Sequence, residues 1–253
     1  MSNFEETAKE EGLELAKRMA EEEEGIGRRP KDWTRYIIPT VAVAWSLFQL
    51  SIASIWVLDS TYTRAIHLGF AMIIVFLNYP TLKKARFGLK FLSATNRIPL
   101  PDFIIAIVAG VSALYIAIDY HGITMRYGMP NTRDIVMGIL LTVLLLEASR
   151  RVIGPALPVI AGLFIFYAFM GPYMPDLIAF KGVSLNRFVG QMTMSTEGIY
   201  GIPLDVSATI VFLFVLFGAM LDKAGAGQYF IRLALSLLGG FKGGPAKAAI
   251  MGS

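Results

Sequence analysis

Apolar residues along this chain fall into six long blocks separated by short charged segments, and no arrangement suited to water can hide that many continuous apolar faces. The blocks are Tyr36 to Leu58, Ala65 to Tyr79, Phe103 to Tyr120, Asp134 to Ala148, Ile153 to Met170 and Val206 to Leu221. Of 253 residues, 55% are hydrophobic and only 17% are charged. Soluble helices carry apolar stripes, whereas these blocks are apolar on all sides. The bilayer is therefore the solvent, and helices are expected throughout, because a helix satisfies its backbone groups within its own segment. The fold predicted is an all-α polytopic membrane protein of about six transmembrane helices, with interfacial helices and the start of a re-entrant hairpin.

The first block sets the scale. Trp33 and Tyr36 stand at one end and Trp56 at the other; the twenty residues from Tyr36 to Trp56 rise about 30 Å, the thickness of the hydrocarbon core. Amphipathic rings at such positions act as interface anchors. Pro80 stops the second span, Pro101 opens the third with Asp102 as a plausible cap, and Arg150 and Arg151 end the fourth. Pro155 and Pro158 lie in the first turns of the fifth, where proline is tolerated.

Charge gives an expected orientation. Nine of the 19 acidic residues precede Gly25, so the formal net charge of +4 hides an acidic tail followed by a basic remainder. That tail has no basic start with a short apolar core, so it is not a signal peptide. Lysine and arginine number seven before the first span, one after it, five after the second, two after each of the third, fourth and fifth, and four from Lys223 onward. The heavy segments place the N-terminus in the cytoplasm and the loop from Gly171 outside. Basic residues in short loops beside apolar spans suit anionic lipid and topology, so no nucleic-acid partner is expected.

The loop from Gly171 to Asp205 contains one helical stripe, Leu185, Phe188, Val189 and Met192 at i, i+3, i+4 and i+7. It fits equally a helix lying in the outer interface or one capping the bundle. The string Lys223 to Gln228 reads as a bend, and Gln228 to Leu238 as a short helix with Phe230, Leu233, Ala234 and Leu237 on one face.

Polar residues inside spans are costly and so are weighed one by one. Glu147 has Arg150 at i+3 and Arg151 at i+4, which favours a helical ion pair over a proton carrier. His67, close after Arg64, reads as a satisfied interface histidine, and Gln49 as a bond to a neighbouring helix. Ser51, Asn78 and Asp119 complete the set. No cysteine is present, the two histidines His67 and His121 are far apart, and no nucleophile elbow or phosphate loop occurs. An enzyme is not expected, and no cofactor or metal is assigned.

The stretch GGFKGGPAKAAIMGS, Gly239 to Ser253, ends on an apolar run of eight residues, too short to cross a bilayer, so the chain is expected to be the front part of something larger. Glycine-rich starts of this kind introduce broken or re-entrant helices in transporters, with a plain loop as the alternative.

These residues resemble a known family, the fused membrane subunit of TRAP transporters of the kind paired with a TAXI-type binding protein. The likeness rests on AWSLFQL at 44–50, RAIHLGFA at 64–71, FLNYP at 76–80, PDFIIAI and LYIAIDY in the third span, and LLLEASRRVIGPALPV at 144–159. It continues in GPYMPD at 171–176, TEGIYGIPLDVSAT at 196–209, LFGAML at 216–221 and GGPAKAA at 243–249. The resemblance implies a charged cytoplasmic tail at 1–32, a four-helix small-subunit-like domain at 33–151, a linking helix at 152–175 and the start of a large-subunit transport domain at 176–253. It implies sodium-coupled import of organic acids by an elevator motion in a bacterial or archaeal inner membrane, with Na+ as coupling ion. The implied partners are a TAXI-type extracytoplasmic binding protein and the remaining transport-domain sequence, in cis or in trans. A transport hairpin would begin near Gly243, which makes Gly243, Gly244, Pro245 and Ser253 the substrate- and ion-binding candidates. The alternative is a membrane scaffold or assembly subunit without transport activity of its own.

Residues 1–253 by themselves are expected not to catalyse sodium-driven uptake; uptake by the purified chain in liposomes with a binding protein would disprove this.

Overall fold

The computed structural model describes residues 27–28, 30–81, 97–126 and 128–227, together with 229, 233 and 236. The acidic tail, most of the helix expected at Gln228 to Leu238, and the glycine-rich stretch from Gly239 lie outside the described residues.

Among the described residues the chain is helical, with no strand. A single 3-10 turn at Trp33–Tyr36 leads into α1 (Ile37–Ser54), followed by α2 (Ser60–Asn78), α3 (Leu100–Ile118), the short α4 (Tyr120–Met125) and α5 (Thr132–Val152). Then come α6 (Ala156–Met170), α7 (Leu185–Thr193), α8 (Ile202–Val206), a π-helical turn at Ser207–Val211 and α9 (Phe212–Lys223). Among the described residues, five stretches are long and apolar enough to cross a membrane: Trp33–Ser54, Ser60–Asn78, Leu100–Ile118, Ala156–Tyr173 and Ile202–Lys223. The remaining long helix, α5, has 21 residues and carries Arg133 and Asp134 at one end and Glu147, Arg150 and Arg151 at the other. Its length of about 32 Å matches the hydrocarbon core, with the charges at its two ends.

Helix boundaries shift for local reasons. The first span ends at Ser54, so Trp56 lies in the following turn. The second begins at Ser60, five residues earlier than its apolar block, because the Asp59 carboxylate accepts from the Thr61 amide at 2.8 Å and caps it. Asp102 does not cap α3; Pro99 holds the N-cap position, and the Asp102 side chain points into the protein instead. The α5 start is a capping box, in which the Asn131 side chain accepts from the Asp134 amide and the Asp134 carboxylate accepts from the Asn131 amide, both at 2.9 Å. At the end of α9, Gly225 adopts φ +81°, the left-handed turn that closes a helix, which agrees with the bend read at Lys223 to Gln228.

Helices α2 and α3 pack most closely, antiparallel, through small residues. Ala65, Ala106, Ala109 and Ala113 are buried at this seam. Gly69 and Gly110 lie there too: a Cβ on Gly69 would meet Leu114 Cγ at 3.2 Å, and one on Gly110 would meet Ile73 Cδ1 at 2.7 Å. In lipid, where apolar surface gains nothing by leaving the solvent, such close backbone approach is what dispersion packing requires. Helix α5 flanks α3 and receives α7 across it. Phe188 and Val189 of α7 turn inward, whereas Leu185 and Met192 stay partly exposed. The stripe thus packs against the bundle by its middle.

Helix α6 buries no side chain, and Leu157, Leu163, Phe164 and Phe166 project outward. The outer sides of α1 and α9 are likewise apolar, with Leu47, Phe214 and Val215 exposed. Such surfaces are stable only against hydrocarbon.

Gly138 of α5 allows α7 to approach. A Cβ there would meet Thr193 Oγ1 and Val189 Cγ1, both at 2.6 Å, and a β-branched neighbour such as Val189 has little rotamer freedom to move aside. The substitution Gly138→Ala is expected to destabilise by about 1–3 kcal/mol through overpacking. Gly162→Ala in α6, where nothing lies within 4 Å, is expected to be neutral or stabilising. Thermal unfolding of the two variants in detergent compares them.

Candidate functional site

Buried ions and polar side chains gather in three places, two near the ends of the bundle and one where α8 and the π turn meet α1 and α2.

At the end formed by Asn78, Leu100 and Val152, the Asp102 carboxylate is fully buried and takes two guanidinium groups. Arg28, from the segment preceding the first helix, binds one oxygen, and Arg151 Nη1 of α5 binds the other at 3.0 Å. Thr81 Oγ1 donates to the same oxygen as Arg151 at 3.0 Å. Arg28 also donates to the carbonyls of Phe76 and Leu77 at 3.2 Å, and its backbone amide donates to Asn78 O at 2.7 Å. These are the carbonyls left without partners at the end of α2, so Arg28 closes that helix with charge favourable to its dipole. Burial lowers the Arg28 guanidinium below its ordinary value, while the hydrogen bond and charge of Asp102 act the other way. Arg151 lies over the Phe76 ring at 4.6 Å, donates to Tyr79 O at 3.1 Å, and meets Glu147 at 2.9 Å. Arg150 grips Glu147 with two bonds at 2.7 and 2.8 Å and donates to Thr81 O at 2.8 Å.

The helical ion pair read at Glu147 is therefore present. Its extension through Arg151 to Asp102 and Arg28 was not visible in the sequence, because those residues are 49 and 74 positions apart from Asp102.

At the opposite end, Arg126 follows α4 and bridges two carboxylates. It meets Asp119 at 2.6 Å and Asp134 at 3.1 Å, and Asp134 also accepts from Tyr115 Oη at 2.6 Å. The hydrogen bonds to Asp134 and then Asp119 raise the affinity of this guanidinium for its proton. The constellation ties α3, α4 and the capping box of α5 together.

The third place joins the α1–α2 pair to the segment from Ser195 to Val211. Tyr200 is fully buried, and its hydroxyl donates to Ala113 O of α3 at 2.7 Å. Burial pushes this phenol well above its ordinary value. Arg64 of α2 donates to Tyr200 O at 2.7 Å and to Asp205 Oδ1 at 2.9 Å, and Ser60 Oγ donates to the same oxygen at 2.9 Å. One turn deeper is His67. Trp45 Nε1 donates to its Nδ1 at 3.3 Å, Gln49 Nε2 also contacts Nδ1, and Ser207 Oγ lies 3.3 Å from its Nε2. With Nδ1 accepting, the ring is the Nε2–H tautomer and donates to Ser207. Phe212 closes over the ring at 5.7 Å between centroids.

Gln49 therefore does bond to a neighbouring helix. His67 is satisfied, as read, and is buried beneath α1 and the π turn. Ser51 makes only a local bond to Phe48 O, and His121 is exposed.

A cleft of about 390 Å³ opens beside this joint, lined by residues of α1, the turn to α2, α8 and the π turn, among them Gln49, Ser60, Asp205 and Thr209. Among the described residues no group of three or more histidine, cysteine or acidic side chains could hold a metal ion. The sequence candidates Gly243, Gly244, Pro245 and Ser253 lie outside the described residues, so the geometry described here concerns the helices that precede them.

Residues 140–253 match the family model of the Tripartite ATP-independent periplasmic transporter, DctM component. That range begins inside α5 and includes Glu147, Arg150, Arg151, Tyr200, Asp205 and Ser207, as well as the four glycine-stretch candidates. The match supports a membrane component of a TRAP transporter, which is a transporter and not an enzyme family. No curated protein and no solved structure matches the chain.

Removing the central carboxylate tests the ion network. Asp102→Asn leaves two buried guanidinium groups under-compensated and is expected to cost about 3–5 kcal/mol, whereas Glu147→Gln leaves Arg150 part-exposed and Arg151 still paired with Asp102, and is expected to cost about 1 kcal/mol. Unfolding temperatures in detergent rank the two, and equal losses would show that burial at Asp102 carries no special weight.

Proposed function

We propose that this chain is a membrane component of a sodium-coupled, binding-protein-dependent TRAP transporter that imports organic acids by an elevator motion. The observation that carries the proposal is the match of residues 140–253 to the DctM component, placed after apolar helices joined by buried ion pairs. In this reading residues 33–151 form a small-subunit-like scaffold, residues 152–175 a linking helix, and residues 176–253 the start of the transport domain. The N-terminus lies in the cytoplasm and the Gly171 to Asp205 loop faces a TAXI-type extracytoplasmic binding protein, across a bacterial or archaeal inner membrane. Na+ is the coupling ion, and Gly243, Gly244, Pro245 and Ser253 begin the hairpin that contacts ion and substrate. Further transport-domain sequence acts with this chain, in cis or in trans.

The ion networks that join the helices of residues 33–151 suit a scaffold. An elevator needs one part that stays fixed in the bilayer while another moves, and the Asp102 and Arg126 networks each bind three or more chain segments into one body. The alternative, an assembly subunit without transport activity, rests on the same networks; an uptake assay separates the two.

The test is reconstitution in liposomes with a TAXI-type binding protein and a DctM-type transport-domain sequence. An inward sodium gradient is expected to drive uptake of the bound organic acid only when all three proteins are present. Uptake without sodium or without the binding protein overturns the mechanism, and uptake undiminished when this chain is omitted overturns its role.

A further inference from the structure

Gln49 is fully buried five residues before the end of α1, about 7–8 Å inside the helix terminus, and its Oε1 has no hydrogen-bond partner among the described residues. Its other amide atom is committed to His67. Turning the amide around exchanges the two atoms but leaves one polar atom unsatisfied either way. Away from water such an unsatisfied group is costly to keep.

Gln49 lines the cleft beside the joint, and the cleft supplies what the amide lacks. Ser60, Thr63, Asp205 and Thr209 line the same space alongside apolar side chains such as Leu58 and Leu213, and it takes in the π turn about 10 Å from the start of α8. Asp205 is already paired with Arg64, so the lining offers hydrogen-bonding groups with little net charge. An anion or a free cation would find no uncompensated partner there. Water would, since each molecule bridges two to four polar atoms and occupies about 30 Å³ in the liquid, so a cleft of about 390 Å³ holds several.

We infer that this cleft is a water-filled vestibule that penetrates the membrane between α1 and the π turn from the side on which Val57 and Asp205 lie, and that its water hydrogen-bonds Gln49. The inference rests on the membrane-spanning reading of α1 and of the stretch from α8 to α9. The vestibule explains why the chain keeps a glutamine amide and a π-helical turn at this depth: the turn widens the helix, and freed backbone groups facing water cost little.

The absence of cysteine allows a direct test. Single cysteines are introduced into the full chain in membrane vesicles at Val57, Ala53, Thr209, Ile210 and Leu47, and their reaction with a membrane-impermeant methanethiosulfonate is timed. Val57 is fully exposed in the turn after α1 and identifies the side of addition. Ile210 and Leu47 lie at depths similar to Thr209 and Gln49 but face outward from the bundle. Because the reactive thiolate forms only in water, Thr209→Cys and Ala53→Cys are expected to react at least about tenfold faster than Ile210→Cys and Leu47→Cys. Thr209→Cys and Ala53→Cys reacting as slowly as the outward pair overturns the vestibule and leaves the span intact. All four reacting as fast as Val57→Cys overturns the span itself and the vestibule with it. Two cleft positions on different helices keep the result readable if one variant fails to insert.

Discussion

The fully buried carboxylate of Asp102 is the point on which the bundle's arrangement depends. One charge in a low-dielectric interior is tolerable only when opposite charges and hydrogen bonds surround it, and Asp102 draws those from three directions. Arg28 arrives from the segment before the first helix, Arg151 from the last turn of α5, and Thr81 from the turn after α2. Each guanidinium then uses its remaining donors on backbone carbonyls at the end of α2. The planar fork of arginine makes this economical, since one side chain can satisfy a carboxylate and a helix end together. Removing Asp102 would leave two buried guanidinium groups under-compensated rather than merely loosen a contact.

The other polar groups repeat this logic at different depths. At the far end, Arg126 joins α4 to Asp119 and to the capping carboxylate Asp134, which serves at once as helix cap, ion partner and acceptor for Tyr115. Between the ends, α2 and α3 hold together through alanines and glycines at close range, because apolar bulk gains nothing by burial when the solvent is hydrocarbon. The outcome is a body with a small-residue seam and buried ion pairs inside, alongside buried side chains such as Phe76 and Leu141, and with large apolar side chains on its surface. Arg64, Tyr200 and His67 extend that body into the segment from Ser195 to Val211, so the part that matches the DctM component is fastened to the part that precedes the match.

Local features were legible before the structure. The apolar blocks gave the helices, Glu147 with Arg150 and Arg151 gave an ion pair within one helix, and the stripe around Phe188 gave α7. Each of these depends on spacings of a few residues, which a sequence displays directly. Asp102 was misread as a cap because its position just after Pro101 suits capping, and nothing local reveals that two arginines 49 and 74 residues away converge on it. Asp134, Arg126 and Asp205 passed without notice for the same reason: their partners are set by the packing of α3, α5 and α8 and not by periodicity. The start of α2 was likewise not legible in hydropathy, because the Asp59 cap sets it at Ser60.

The sequence by itself determined that this protein lives in a bilayer, how many apolar segments it has, and where charge accumulates between them, because hydrophobic length and loop charge act one segment at a time. It also carried a likeness to TRAP transporters, which the DctM match at 140–253 supports. Only the tertiary structure decided which polar residues meet, since a buried charge can be satisfied by any segment that geometry brings within about 3 Å. It likewise decided that His67 sits against the π turn and Gln49 beside a cleft of mixed polar and apolar lining, a consequence of how α1, α2 and α8 cross.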